Sequence, residues 1–420
     1  RGQLFKPREG DAIFLELNAD VLDAEGLFDQ LAFGIQQFGE VSDRDLFERD
    51  LNRKACLFGF GLVFDRVESG CGKGDAEKAY FIGATGPLTG SAMSYGMSVQ
   101  NGAKLAVDEI NAAGGLNGVK FKFEILDDKA TPEDASVGYD QLYDKGMQVS
   151  LGSVTSGSCE AFASKAAKDN LFFMTPSASA ANVIADRPTA FRVCFGDPDQ
   201  GTLAAEELTK SFTNIGAIYD TSDDYSSGIF KAFSDEMAKL GKTFITQSFD
   251  KENNRDFSTQ VEALKDCDVI FLPIYYNEAG LIAKACVAKS CKAVLFGCDG
   301  LDGVAEQIDA TVTNQVKYIT PFDVNSTDKK TADFVKNYKE KYNDAPDQFA
   351  ADGYDAVYAI FEAMKAAGIN DPDIKPADLS AKLIPAITDS SFVLEGVTGK
   401  MTWDTTGACA KVPVIVELNK

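Results

Sequence analysis

The chain has 420 residues, of which 45% are hydrophobic, and it carries a net charge of −23 without a single histidine. This length corresponds to two or three domains, and the negative charge disfavours both nucleic acid and anionic membrane surfaces as partners. The lack of histidine excludes Ser-His-Asp and Cys-His catalysis and every His-ligated metal site, so a soluble protein that handles small molecules is the favoured class.

The first segment, residues 1–52, is acidic and offers no clear partner for its apolar residues, so we treat it as extraneous to the main domain. Residues 53–71 begin with a basic pair, continue with an apolar stretch and end in small residues before Cys71. They resemble a degenerate lipoprotein signal, in which Glu68 stands where an apolar residue is expected. In this interpretation Cys71 is the lipidation site and residues 72–78 are a flexible tether. An internal linker with an incidental cysteine is the alternative. No stretch reaches the roughly 18 consecutive apolar residues of a transmembrane helix.

From Ala79 onward, strand-like and helix-like patterns alternate. In the first half, strands are predicted over residues 80–84, 121–126, 149–154 and 171–174, and helices over 97–111, 131–145 and 160–169. In the second half, strands are predicted over 215–219, 244–249, 269–274, 293–296, 393–403 and 412–418, and helices over 227–240, 257–265, 279–288, 331–342 and 348–367. This alternation implies right-handed βαβ units in parallel sheets. Breaks at 191–198 and 316–321 indicate crossovers between two α/β lobes with a cleft between them.

Two successive strands of the first half end in loops that are rich in hydroxyl groups. Thr155 and Ser156 follow the third predicted strand, and Ser177 and Ser179 follow the fourth. Ligands of open α/β sheets bind outside the carboxyl ends of the strands, and free N–H groups at a helix N-terminus favour an anion. We therefore expect these four residues to face one small carboxylate, with plain helix capping by Ser156 or Ser158 as the simpler alternative.

The nine cysteines are scattered and include no CxxC pair, so zinc-ribbon and thioredoxin-like sites lack the spacing that they require. Cys286, Cys291 and Cys298 come nearest to a cluster. We expect them to pack as small buried apolar residues, with a disulfide as the next choice. No metal and no cofactor are expected.

Several short motifs follow one another along this part of the chain. They are Gly86-Pro-Leu-Thr-Gly90, Asn111-Ala-Ala-Gly-Gly-Leu-Asn-Gly118, Thr175-Pro-Ser-Ala-Ser179 and Tyr275-Tyr-Asn-Glu-Ala-Gly280. In this order they resemble the periplasmic branched-chain amino acid binding proteins of ABC transporters. The resemblance implies the type I periplasmic binding fold, in which two Rossmann-like α/β lobes are joined by a multi-strand hinge. It divides the chain into a non-matching N-terminal extension (1–78), a first lobe (79–195 plus 322–400) and a second lobe (196–321 plus 401–420).

The resemblance also implies an extracytoplasmic protein without catalytic activity. Such a protein captures a free aliphatic amino acid, such as leucine, isoleucine or valine, and delivers it to a membrane permease. We expect a monomer that is periplasmic or lipid-anchored to the outer face of the cell membrane. The alternative ligands are another small amino acid, an amide or a urea-like molecule. The alternative role is that of a ligand-sensing ectodomain. A Ser-Lys hydrolase built on Ser156 or on Ser164 and Lys165 is disfavoured because no triad accompanies it.

The resemblance assigns roles to individual residues of the cleft. Ser156 and the amides beside it match the α-carboxylate site, and Asp299 matches the acidic residue, usually glutamate, that pairs with the α-ammonium. The candidate ligand-binding residues are Tyr95, Val154, Thr155, Ser156, Ser177, Ala178, Ser179, Tyr225, Tyr275, Asp299 and Phe349. Asp299 is alternatively a turn residue before Gly300, and Tyr275 and Phe349 are alternatively core residues.

These residue types suit an amino acid zwitterion, which needs donors for its carboxylate and an acceptor for its ammonium. Such charge-assisted hydrogen bonds are the stronger kind. The ligand side chain also needs an apolar wall, which we expect from Tyr95, Val154 and Phe349. None of these three side chains carries a charge, so an aliphatic ligand is expected.

Overall fold

The computed structural model describes residues 78–418. The predictions made for residues 1–77, including the lipoprotein signal and the lipidation of Cys71, lie outside the described residues. Within residues 78–418, strands and helices alternate and form two α/β lobes, each built around its own sheet. The predicted fold class is therefore confirmed.

The first lobe is built around a five-stranded parallel sheet. Its strands are β1 (Ala79–Gly86), β2 (Lys120–Asp127), β3 (Val149–Ser150), β4 (Phe173–Thr175) and β5 (Ala190–Arg192), in the order β2-β1-β3-β4-β5. Its helices are α1 (Met93–Ala112), α2 (Pro132–Asp144), α3 (Ser156–Lys168) and α4 (Ala181–Ile184). The inner strands are buried because helices cover both faces, whereas the edge strand β2 exposes Lys120 and Lys122.

The second lobe is built around a six-stranded sheet. Its strands are β6 (Ile215–Asp220), β7 (Ile245–Phe249), β8 (Val269–Leu272), β9 (Val294–Gly297), β10 (Val316–Thr320) and the last strand, β14 (Val414–Glu417), in the order β14-β10-β9-β8-β6-β7. Its helices are α5 (Asp197–Ser211), α6 (Asp224–Lys239), α7 (Ser258–Leu264) and α8 (Tyr276–Lys289). Two short 3₁₀ turns follow β9, at Asp299–Leu301 and Val304–Glu306. All neighbouring strands are parallel except β14, which runs antiparallel to β10.

Three helices then return to the first lobe and complete its core. They are α9 (Lys329–Tyr342), α10 (Gln348–Ala366) and α11 (Pro376–Ile387). Helix α10 packs closely along α1, and glycine permits this approach. A Cβ atom at Gly102 would lie 1.9 Å from the carbonyl oxygen of Ala350, and one at Gly353 would lie 2.8 Å from that of Val99. Any side chain at either position would therefore push the two helices apart.

The chain ends in a small antiparallel sheet followed by β14. The small sheet contains β11 (Leu394–Gly396), β12 (Gly399–Trp403) and β13 (Cys409–Ala410). The single strand predicted over residues 393–403 is thus a hairpin. The prediction was wrong because Gly399 takes a φ of 104°, which allows the chain to reverse.

The last crossing between the lobes comes later than the predicted boundary at residue 400. The indole Nε1 of Trp403 donates to the carbonyl oxygen of Arg192 at 2.7 Å. The backbone N–H of Arg192 donates to the carbonyl oxygen of Gly407 at 3.1 Å. Residues 401–410 therefore pack with the first lobe, and only β14 joins the sheet of the second lobe. Lys411 lies at the crossing, where its buried ammonium is 2.8 Å from Asp352.

Some helix starts in this fold carry a side-chain cap and others do not, and the start of α3 matters for the cleft. Thr131, Asp223 and Asp347 each accept a hydrogen bond from a backbone N–H in the first turn of α2, α6 and α10. At the start of α3, Thr155 has the extended backbone of an N-cap, but its side chain caps no amide. The first turn of α3 therefore keeps N–H groups without a side-chain cap.

All seven cysteines among the described residues are buried and form no disulfide bond. They are Cys159, Cys194, Cys267, Cys286, Cys291, Cys298 and Cys409. Their burial agrees with the expectation that they pack as small apolar residues. Cys286 and Cys291 are neighbours at the end of α8, where the N–H of Cys291 donates to the carbonyl of Cys286 at 2.9 Å.

Candidate ligand-binding site

The carboxyl ends of strands from both sheets meet around a small cavity between the lobes. Its lining residues are Tyr95, Val154, Thr155, Ser156, Ser177, Tyr225, Tyr275, Asp299, Gly300 and Phe349. All of the predicted ligand-binding residues except Ala178 and Ser179 are in this set. The structure therefore brings side chains of two lobes and widely separated segments to one space.

One wall of the cavity is the loop that leads into α3. The hydroxyl of Thr155 is buried and has no hydrogen-bond partner, and the same holds for Ser158. The hydroxyl of Ser156 accepts a hydrogen bond from the N–H of Ala180 at 3.2 Å, so it links this loop to the next one instead of capping α3. The capping alternative for Ser156 and Ser158 is thus not observed. The uncapped amides at the start of α3 make this wall attractive to an anion.

The second loop, after β4, is held in place by hydrogen bonds to the first. The hydroxyl of Thr175 donates to the carbonyl of Ser153 at 2.8 Å and accepts from the N–H of Ala178 at 3.0 Å. The hydroxyl of Ser177 donates to the carbonyl of Val154 at 2.7 Å. These bonds fix the two loops as one rigid unit, because each hydroxyl ties one backbone to the other.

Ala178 and Ser179 lie behind this wall and do not line the cavity. Ala178 is fully buried in a cluster of apolar side chains in the first lobe. The carbonyl of Ser179 accepts from the N–H of Asp197 at 3.0 Å and from the buried guanidinium of Arg192. Both residues are therefore turned toward the body of the protein, which differs from the expectation that they face a ligand.

Asp299 provides the acidic group of the opposite wall. Its carboxylate accepts a hydrogen bond from the Tyr225 hydroxyl at 2.7 Å, and its own N–H donates to the side chain of Gln200 at 3.1 Å. Gln348 donates to its carbonyl oxygen at 2.5 Å. Asp299 opens the 3₁₀ turn that contains Gly300, as the turn alternative expects, and its side chain also bonds to the hydroxyl of Tyr225.

Burial sets the protonation of this acidic group. Removal from water raises the pKa of Asp299 to about 6, against the opposing effect of hydrogen bonds from Tyr225 and Gln200. Burial also raises the pKa of Tyr225, which keeps its hydroxyl a donor. A cation placed beside Asp299 would favour its charged form, so the site can accept an ammonium group.

Aromatic rings form the remaining walls. The ring of Tyr95 lies 4.1 Å from that of Phe349 and 5.6 Å from that of Tyr275, measured between centroids. Tyr225 and Tyr275 stack at 5.0 Å. Phe349 also belongs to the apolar cluster that contains Val154, so the core alternative and the cavity-lining expectation both hold for it.

Three residues that support the site were missed by sequence reasoning. Gln200 and Gln348 hold the backbone of Asp299 from different segments, and no local motif marks them. Gly300 lines the cavity, and glycine is required there because a Cβ would lie 2.7 Å from the hydroxyl of Tyr225. The Asp-Gly pair was the available signal for Gly300, and it was interpreted only as a turn.

The described part of the chain contains no group of three or more acidic or cysteine side chains that could hold a metal ion. The chemistry of the cavity is instead that of a small polar ligand. It has uncapped amides at one end, a single carboxyl group at the other and aromatic side walls.

Two α/β lobes with a small cavity between them are an arrangement found in ligand-binding proteins that close around their ligand. Residues 79–415 match the sequence profile of the Periplasmic binding protein family. The chain therefore belongs to that family, as its motifs indicate.

Two curated relatives show which members it resembles. It is 27% identical over 336 residues to the Leu/Ile/Val-binding protein BraC3 of Rhizobium johnstonii, covering 78% of this chain and 88% of that protein. It is 24% identical over 331 residues to the leucine-, isoleucine-, valine-, threonine- and alanine-binding protein of Pseudomonas aeruginosa, covering 78% and 86%. Both matches span nearly the whole relative.

Solved structures agree with the fold. The branched-chain amino acid transporter substrate-binding protein LivJ of Streptococcus pneumoniae, in complex with isoleucine, is 27% identical with a TM-score of 0.69, covering 81% of this chain and all of that one. The leucine-binding protein LivK of Thermotoga maritima has a TM-score of 0.72 at 23% identity, covering 80% of this chain and 95% of that one. The type I periplasmic binding fold is thereby confirmed.

Proposed function

We propose that this chain is the extracytoplasmic substrate-binding protein of an ABC transporter and captures a free branched-chain amino acid in the cleft. One observation carries the proposal: a single small cavity has the uncapped start of α3 on one side and the buried carboxyl group of Asp299 on the other. That arrangement suits the two charged ends of a zwitterion. The relatives named for leucine, isoleucine and valine support the same ligand class.

The ligand's carboxylate would accept hydrogen bonds from the first amides of α3, where the helix dipole is also favourable. Its ammonium would donate to Asp299. Hydrogen bonds that involve a charged group contribute about 1.5–3 kcal/mol each. The lining contains one acidic side chain and neither lysine nor arginine. The partial positive charge at the start of α3 is therefore the counterpart of the Asp299 carboxylate, and the two together match the opposite charges of a zwitterion.

The walls of the cavity favour an aliphatic side chain. Tyr95, Val154 and Phe349 supply the apolar surface. Burying a leucine-sized side chain against such a surface contributes about 1.5–3 kcal/mol.

We propose that the protein has no catalytic activity, in keeping with a family of binding proteins. The Ser-Lys hydrolase alternative has no support in the contacts. The hydroxyl of Ser164 donates to Glu160, and the ammonium of Lys165 is paired with Asp140 at 2.7 Å. Both residues are on α3 away from the cavity lining, so neither can serve as nucleophile or base for a ligand there.

The proposal has three further parts: delivery of the ligand to a membrane permease, a monomeric state, and lipid anchoring at Cys71. None of the helices within residues 78–418 is long and apolar enough to cross a membrane. Mass spectrometry of the protein from its native host tests the anchor: a lipid-modified N-terminal cysteine is expected, and an unmodified Cys71 inside an intact mature chain would contradict it.

Titration calorimetry on the full chain tests the ligand. We expect leucine, isoleucine and valine to bind with one site per chain, and aspartate, lysine and benzoate to bind far more weakly. A panel in which an amide or an aromatic acid binds best would replace the branched-chain assignment. Binding of no amino acid at all would overturn the proposed function.

A further inference from the structure

Two tyrosine side chains cross the cleft in opposite directions. Tyr95, on α1 of the first lobe, accepts a hydrogen bond at its hydroxyl from the N–H of Tyr276 at 3.1 Å and donates to the carbonyl of Gly300 at 2.5 Å. Tyr276, at the start of α8 in the second lobe, donates from its hydroxyl to the carbonyl of Ser91 at 2.8 Å. Each lobe thus places one tyrosine hydroxyl on backbone groups of the other lobe.

The rings of this pair are also in contact. Their centroids are 5.0 Å apart at 78°, which is the edge-to-face arrangement that aromatic pairs prefer. Tyr276 is buried and packs over Gly303, where a Cβ would lie 3.5 Å from its ring. The ring of Tyr276 is therefore held between Tyr95 and Gly303, and this packing directs its hydroxyl to Ser91.

The two tyrosines differ in their relation to the cavity. Tyr95 lines it, so a change there alters the ligand's surroundings as well as the contact between lobes. Tyr276 does not line it. A change confined to the Tyr276 hydroxyl therefore affects the contact between the lobes and leaves the lining side chains in place.

We infer that Tyr276 is an interlobe lock, a positioning residue whose hydroxyl stabilises the closed arrangement of the lobes and slows ligand release. The hydrogen bond to Ser91 exists only when the two lobes meet, so it contributes to the closed state alone. A single hydrogen bond of this kind shifts the closing equilibrium by about two- to tenfold. The part of the inference that concerns ligand release depends on the proposed function, whereas the part that concerns closing does not.

A cross-linking experiment tests closing without any ligand. Asn182 of the first lobe donates to Asp224 of the second at 3.2 Å, and both residues are exposed at the rim of the cleft. In the full chain carrying Asn182→Cys and Asp224→Cys, oxidised glutathione can join the two new thiols by thiol–disulfide exchange, which releases two reduced glutathione molecules. The rate of this reaction, followed by mass spectrometry, reports how often the lobes close.

Adding Tyr276→Phe to the pair is expected to slow the cross-link about two- to tenfold, in line with one lost hydrogen bond. Tyr139→Phe is the matched control, since that hydroxyl donates to Asp169 at 2.7 Å entirely within the first lobe. The control is expected to leave the rate unchanged. Equal rates for Tyr276→Phe and the parent pair would overturn the lock, as would an equal effect of Tyr139→Phe.

Ligand release gives the second readout, in the chain without added cysteines. Tyr276→Phe is expected to raise the dissociation rate of leucine about two- to tenfold in stopped-flow displacement, while the ratio of leucine, isoleucine and valine affinities stays as in the wild type. A changed ratio would make Tyr276 a ligand-contacting residue and overturn its assignment as a lock. If the wild-type chain binds none of these ligands, the proposed function fails, and the cross-linking rates still decide the lock.

Discussion

The two ends of the cavity are made in different ways. On the first lobe, the groups suited to an anion are backbone amides at the start of α3. The loop before them is held by the hydroxyls of Thr175 and Ser177, which donate to its backbone carbonyls. On the second lobe, the group suited to a cation is one carboxyl, Asp299, and its hydroxyl partner Tyr225 comes 74 residues earlier in the chain. A wall of backbone amides tolerates side-chain changes, whereas a wall that depends on one ionisable side chain is sensitive to mutation and to pH.

The largest expected effect is the loss of Asp299. Asp299→Ala should weaken leucine binding by about 2–5 kcal/mol, because it leaves the ligand's buried ammonium without a partner. Calorimetry on the full chain measures the loss. Asp235→Asn, which removes an exposed carboxylate that pairs with Lys231 of the same helix, is the control and should change the affinity little. Unchanged affinity in Asp299→Ala would remove this residue from the site.

The same burial of acids should make the free energy of unfolding depend on pH. Burial, reinforced by the neighbouring Asp302, raises the pKa of Asp347 to about 7, and burial raises that of Asp299 to about 6. A carboxyl with a raised folded-state pKa binds more protons in the folded state than in the unfolded one. Stability is therefore expected to fall, by a few kcal/mol in total, as the pH rises from about 4 to about 7.

Denaturant unfolding at several pH values measures this slope. Asp347→Asn is the matched variant, because asparagine can still cap α10 as Asp347 does for Ala350 at 2.8 Å, yet it cannot ionise. The slope should be shallower in this variant. A free energy of unfolding that rises between pH 5 and pH 7 would contradict the assignment of these acids as proton-retaining groups.

Affinity should depend on pH with the opposite sign. The ligand's ammonium requires the ionised form of Asp299, and the pKa of that group is about 6 in the free protein. Leucine affinity is thus expected to be constant above about pH 7 and to fall by up to about tenfold per unit below pH 6. In Asp299→Asn the affinity should be weaker but flat across the same range. A wild-type profile that is equally flat would mean that no carboxyl in the site titrates with binding.

The contrast between the two ends also explains what the sequence could predict. The motif Thr175-Pro-Ser-Ala-Ser179 shapes its own loop in part, since the Thr175 hydroxyl accepts from the N–H of Ala178. The hydroxyls of Thr175 and Ser177 also bond to the loop that follows the neighbouring strand of the sheet. Alternation of strands and helices was sufficient for the parallel sheets. The anion end of the cavity was therefore predictable from a helix start and two hydroxyl-rich loops.

Contacts between distant segments were not predictable in the same way. The support of Asp299 by Gln200 and Gln348 depends on how three segments meet, and nothing local distinguishes these glutamines from others. The late crossing of the chain depends on Trp403 reaching the carbonyl of Arg192, which alternating hydrophobicity does not reveal. Sequence patterns indicate which face of an element is buried, but not which partner lies across that face.

The smallest expected effect concerns Ser156. Substitutions there distinguish the contribution of the side-chain hydroxyl from that of the backbone amide at the start of α3. Ser156→Ala removes the hydroxyl that accepts from the N–H of Ala180, and it should weaken binding by about 0.5–1.5 kcal/mol. Ser156→Pro removes the hydroxyl and also the first amide of α3. Proline fits this first helical position, and the extended backbone of Thr155, with ψ of 149°, is compatible with a following proline.

If backbone amides hold the ligand's carboxylate, calorimetry should therefore find Ser156→Pro weaker than Ser156→Ala by a further loss of similar or larger size, with both variants folded by circular dichroism. Equal affinities in the two variants would mean that the hydroxyl alone acts at this position. In that case both ends of the cavity would depend on single side chains, and the contrast between a backbone wall and a side-chain wall would not hold.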